Sequence, residues 1–104
     1  MKLLFVTCLE DLKSDVMKIF HEAHIKIFSF MEATGVKDEH DMNLLDDWFG
    51  NKDGEFKSLI LFSFTGNETA KEAMRLIKVY NEEAGNKFPI RAFIMPVEES
   101  NYLP

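Results

Sequence analysis

One cysteine in 104 residues, Cys8, leaves no intrachain disulfide to hold the fold, and a reducing compartment fits that count. Positive charge is also short. Twelve lysines and arginines stand against 18 aspartates and glutamates, for a net charge of -6 and a pI near 5.0. General nucleic-acid binding needs a basic face, as does an anionic membrane surface, so this balance argues against both partners. Nor does any apolar run reach membrane-spanning length. The opening run, residues 3–9, is too short. Acidic Glu10-Asp11 follows it, where a signal sequence would need small residues for cleavage. The reading is a cytoplasmic protein that is complete from its first strand, with no internal repeat and no low-complexity tract.

What is present is enough for a core. At this length, with a hydrophobic fraction of 46%, one globular domain is expected over residues 1–104. Residues 58–64, Ser-Leu-Ile-Leu-Phe-Ser-Phe, are apolar at odd and even positions alike. Strand side chains alternate between faces, so such a run belongs to a central strand buried on both. Residues 3–9 form a second run of this kind. After it, Leu12, Val16, Ile19, Phe20 and Ala23 recur at helical spacing, with Asp11 or Ser14 available as a cap. Residues 25–33 read as an edge strand, Ile27, Ser29, Met31 and Ala33 facing one way and Lys26, Phe28, Phe30 and Glu32 the other. Thr34-Gly35 is expected to end it. Residues 36–56 show no sustained period and read as a long loop, with an acidic stretch from Asp38 to Asp47 and a possible short helix at residues 42–49. A second helix follows, capped by Asn67 or Thr69 and stopped by Gly85, its buried stripe Ala70, Ala73, Met74, Ile77, Tyr80 and Ala84. Residues 87–97 form the last strand, with Pro89 and Pro96 suited to strand ends or a sheet edge, and residues 98–104 form a loose polar tail.

The order is βαββαβ, an α+β chain of ferredoxin-like type. Right-handed crossovers put both helices on one face of a four-stranded antiparallel sheet, with the first and third strands central. Two helices hide one face only, yet the strands supply apolar side chains to both. A monomer would expose a large apolar surface, so the expected state is an oligomer packed through the open face of the sheet.

The chain resembles PII-like signalling proteins, relatives of the nitrogen regulatory PII proteins, over nearly its whole length. The resemblance rests on the opening strand with Asp11-Leu12 leading into a helix, and on Phe20-His21-Glu22-Ala23-His24-Ile25 turning into the second strand. Met31-Glu32-Ala33-Thr34-Gly35 then precedes a long loop where PII proteins carry their T-loop. Asn67-Glu68-Thr69-Ala70 opens the second helix, and Gly85-Asn86-Lys87 lies where the family has its B-loop. The resemblance implies a homotrimer, with ligands in clefts between subunits and a regulatory, non-enzymatic role. In that role the projecting loop engages a partner such as a membrane transporter or efflux system. Gly35, Lys37 and Lys87 are the ligand-binding positions it carries over, and Trp48 and Phe49 are apolar anchors for a partner. A glycine-rich, basic B-loop holds phosphates through amides and cations. Gly85-Asn86-Lys87-Phe88-Pro89 has one glycine and one lysine, which argues against ATP or ADP.

Other chemistries compete. His21 and His24 share a helix end, and His40 sits among Asp38, Glu39 and Asp41, so a divalent metal is the alternative ligand. The divalent-cation-tolerance family, which the chain also resembles, points the same way. His24 also suits a simpler role, favouring the negative end of the helix dipole. A small ferredoxin-like enzyme, with Trp48, Phe49 and Phe56 lining a pocket, is a further alternative, though Cys8 inside a central strand reads as a buried hydrophobe and no catalytic residue emerges. An RNA-binding sheet using Phe28, Phe30 and Phe62 is opposed by the negative charge.

Overall fold

The computed structural model describes residues 1–37, 54–85 and 88–102, with the side chains of residues 37 and 54–56 outside the description. Strand β1 spans Lys2–Leu9. A 3-10 turn, Glu10–Leu12, leads into helix α1, Lys13–Glu22. Strand β2, Ser29–Lys37, and strand β3, Gly54–Thr65, follow, then helix α2, Asn67–Ala84, and strand β4, Arg91–Pro96. The four strands form one sheet in the order β2-β3-β1-β4, and every neighbouring pair is antiparallel. The ferredoxin-like βαββαβ arrangement read from the sequence is therefore the fold. The two doubly apolar runs are its central strands, and β2 and β4 are its edges.

Leu4, Val6 and Cys8 of β1 and Leu59 and Leu61 of β3 face the helices, where they meet Val16, Ile19 and Phe20 of α1 and Ala73 and Ile77 of α2 in one buried core. Of the stripe expected on α2, Ala70, Ala73 and Ile77 are buried and Ala84 is exposed. Phe20 and Phe28 meet edge to face at 5.1 Å, a favoured aromatic geometry.

Neither helix uses a side-chain cap. Lys13 donates its backbone N–H to the Glu10 carbonyl, so the 3-10 turn runs straight into α1 and takes over the work expected of Asp11 or Ser14. At α2 the capping position falls on Gly66, one residue early. Asn67 is then already helical, and its amide turns to the Glu68 carboxylate at 3.4 Å. The far end behaves as expected: Gly85 adopts φ 56° and donates to the Asn81 carbonyl at 3.2 Å, a left-handed stop that glycine makes without strain.

Strand boundaries differ more. The second strand starts at Ser29 rather than residue 25, because the Ile25 amide is committed to the Phe20 carbonyl at 2.9 Å and its side chain fills the core. Thr34-Gly35 does not end it. Pairing continues through Gly35 opposite Phe56 to Lys37 opposite Gly54, so both ends of the segment read as loop, 36–37 and 54–56, are strand. The acidic stretch and the possible helix at 42–49 lie outside the described residues. The last strand starts at Arg91, four residues later than expected. Ile90 is instead clamped by Asn81, whose side chain accepts from the Ile90 N–H at 3.0 Å and donates to its carbonyl at 2.9 Å.

Candidate functional site

Residues directly opposite in an antiparallel pair share a face, so the register assigns the surface of the sheet away from the helices. One row across it is Ser29, Phe62, Phe5 and Phe93. The next is Met31, Ile60, Thr7 and Arg91. Beyond them lie Phe64, Leu3 and Met95 at one end, and Ala33, Ser58 and Leu9 at the other. Phe64, Met31, Met95 and Phe93 are exposed, Phe64 by 58%. Leu3, Phe5, Leu9, Ile60 and Phe62 are half-buried. Among the residues of these rows, Arg91 carries the one charge. The face is largely apolar, as the doubly apolar runs imply. Phe28 and Phe30 do not contribute: Phe30 lies opposite Leu61 on the helix side, with the Lys13 ammonium 3.8 Å from its ring centre. The three phenylalanines named for RNA stacking are thus split between two faces.

Of the polar side chains on the face two are fully buried: Thr7, and Ser58, whose hydroxyl has no hydrogen-bond partner.

Two of the positions carried over as ligand-binding lie in the last part of β2. Gly35 is buried within β2, and Lys37 closes that strand. Lys87 lies outside the described residues, in the segment joining α2 to the start of β4. Strands β2 and β4 are opposite edges, three spacings of about 4.8 Å apart, or roughly 14 Å.

The histidines are only partly brought together. His21 lies in the last turn of α1. His24 follows at φ 66°, its backbone N–H donating to the His21 carbonyl at 3.1 Å. Both are exposed, beside a shallow groove that also includes Lys26. Among the described residues no group of three or more His, Cys, Asp or Glu is arranged to hold a metal ion. His40, Trp48 and Phe49 lie outside the described residues. Cys8 is buried, and burial pushes its thiol up to about 12, which keeps it protonated and unreactive.

Three features had no clear signal in the sequence. Asn81 couples α2 to β4, as described above. Ser63 donates to the Ile27 carbonyl at 2.7 Å, tying the chain ahead of β2 to β3. Val97, just past β4, directs its N–H to the Met1 carbonyl at 3.4 Å. Among the described residues no helix is long and apolar enough to cross a membrane.

No family model matches the chain, and no curated protein sequence does. Solved structures do resemble it. One is a protein of Thermus thermophilus, provisionally described as a PII-like signalling protein. It aligns with a TM-score of 0.59 at 16% identity, over 89% of this chain and 82% of that one. Another is a DUF3240 family protein from Shewanella baltica, with a TM-score of 0.54 at 19% identity, over 99% of this chain and 96% of that one. At these identities the likeness establishes a shared fold. The resemblance to PII-like proteins, read from the order of the elements, holds at that level.

Proposed function

We propose that the chain is a PII-like regulatory protein, cytoplasmic and without catalytic activity, that works as a homotrimer. Three copies bury their open sheet faces against one another, and a small effector binds in the clefts between them. The effector alters the segment 36–56, which engages a regulated partner, such as a transporter or efflux system, through Trp48 and Phe49. The observation that carries the reading is the apolar sheet face, on a fold shared with a PII-like signalling protein. Monomeric proteins rarely leave so large an apolar surface in water.

Gly35, Lys37 and Lys87 are the residues assigned to the effector. The scarcity of glycine and lysine around Lys87 argues against a nucleoside triphosphate.

Sedimentation velocity tests the foundation. The expected particle has three times the 12.1 kDa chain mass at micromolar concentration, and a 12.1 kDa particle would end the reading. Thermal shift against divalent metals, nucleotides and small anions then searches for the effector, since a ligand specific to the native state raises the midpoint. Lys37→Ala and Lys87→Ala should each reduce that shift. A shift that survives both substitutions would remove the assigned site while leaving the assembly standing.

A further inference from the structure

A groove of about 460 Å³ lies beside the end of α1, lined by Met17, His21, His24, Ile25, Lys26 and Phe28. Its apolar part is anchored: Ile25 is buried, and Phe28 packs on the core through Phe20. Three nitrogen-bearing side chains complete the described lining, and no carboxylate does. On a chain of net charge -6, that is a local reversal of sign. The turn that closes α1 does not use the imidazoles. The carbonyls of Ile19, Phe20 and His21 accept the backbone N–H groups of Ala23, Ile25 and His24 at 2.9, 2.9 and 3.1 Å. Among the described residues no hydrogen bond or ion pair engages the side chain of His21, His24 or Lys26. Glu72 is coupled electrostatically to His24, but the Arg75 guanidinium already holds its two carboxylate oxygens at 2.9 and 2.8 Å. His24 also sits at φ 66°, a strained position for a residue with a Cβ. Strain of this kind collects at binding sites.

We propose that this groove binds a small organic acid, a carboxylate on an apolar body. The Lys26 ammonium supplies the charge. His21 and His24 supply N–H donors, since an imidazole carries at least one whatever its charge. Hydrogen bonds to a carboxylate are stronger than neutral ones, and Met17, Ile25 and Phe28 take the body of the ligand. A divalent metal fits less well. The ammonium repels it, and two histidines fall short of the three protein ligands that even an open zinc site keeps. None of the lining residues belongs to the rows of the open sheet face, so packing through that face does not enlist them. The assignment is independent of the regulatory reading, since it uses none of Gly35, Lys37 and Lys87.

Isothermal titration of the full chain, in whatever assembly it adopts, compares three probes of similar shape: 3-phenylpropionate, 3-phenylpropanol and 3-phenylpropylammonium. The carboxylate should bind saturably, about tenfold more tightly than the alcohol, and the ammonium more weakly than either. Lys26→Gln, at an exposed position, should bring the affinity for the carboxylate down toward that for the alcohol and leave the alcohol unchanged. His21→Ala, on the exposed side of α1, should weaken the carboxylate more than the alcohol. Lys18→Gln makes the same change of net charge on α1 outside the lining, and should leave all three affinities as they were. Thermal melts without ligand confirm that the variants fold. The proposal is overturned if 3-phenylpropionate gives no saturable heat, if the ammonium binds as tightly as the carboxylate, if the preference for the carboxylate survives Lys26→Gln, or if Lys18→Gln abolishes it equally.

Discussion

His24 occupies the left-handed position that ends α1, at φ 66°, where a Cβ meets the backbone unfavourably and glycine does not. Gly85 holds the matching position after α2 without that cost. His24→Gly should therefore stabilise the chain by about 0.5–1 kcal/mol despite the added freedom of the unfolded state, read as a higher urea midpoint at unchanged slope. A lower midpoint would mean that the imidazole makes a contribution larger than the strain. Two other side chains should weaken the fold at alkaline pH. Burial raises the Cys8 thiol from 9.0 to about 12. The hydrogen bond that Tyr80 donates to Asp15, at 2.6 Å, is the main cause that raises its phenol from 10.0 to about 12, with burial second. Both folded values are raised, so the unfolded chain loses these protons first. Stability from the two groups is complete below pH 9 and declines between about pH 9 and 12. Cys8→Ala should delay the onset of that decline toward about pH 10, and Tyr80→Phe should flatten its upper part. Denaturant midpoints measured from about pH 8 to 11.5 separate them, and an unaltered profile in both variants would place the alkaline limit elsewhere.

At the scale of elements, Asn81 is the joint that sequence patterning passes over. It lies outside the apolar stripe of α2, yet its amide satisfies both backbone groups of buried Ile90. Asn81→Ala leaves a buried donor and acceptor unpaired and should cost about 2 kcal/mol. Asn81→Asp keeps the acceptor for the Ile90 N–H but sets a carboxylate against the Ile90 carbonyl, so at neutral pH it should be at least as damaging. A urea midpoint within error of the parent for both variants would show that the clamp contributes nothing. The central strands and the faces of both helices were legible because burial writes its own period into residues 3–9, 58–64, 12–23 and 70–80. Boundaries were not. Ile25 and Ile27 look like strand, but one fills the core through a turn and the other is 85% exposed. Residues 54–56 look like loop because their conformation comes from pairing with β2 rather than from any pattern of their own. The helix starts misled for a related reason: backbone geometry at Leu12 and Gly66 sets the first turn, and the nearby Ser, Asp and Asn side chains are not used. Of the candidate site, only the open face could be read from residues, since alternation fixes a face whereas a cleft depends on which segments meet.

For the molecule as a whole, the decisive question is what covers the open face, and single charges placed on either side of the sheet answer it. Phe64 stands 58% exposed on the open face, and Phe30 stands 46% exposed on the helix side. Both are phenylalanines in the described strands, both are accessible in the single chain, and neither belongs to the buried core. Phe64→Glu adds a charge that water can solvate in the monomer. Trapped without a partner between subunits, the same charge would cost about 3–5 kcal/mol. Phe30→Glu adds the same charge beside Lys13, where it stays in solvent whether or not subunits associate. If the assembly packs through the open face, sedimentation should find Phe64→Glu at 12.1 kDa with an unchanged far-ultraviolet spectrum, and Phe30→Glu at the parent mass. Dissociation by Phe30→Glu with Phe64→Glu intact would move the interface to the helix side. Two variants at the parent mass would remove the sheet faces from the assembly altogether, because the charge at Phe64 could not then be lying in a desolvated contact.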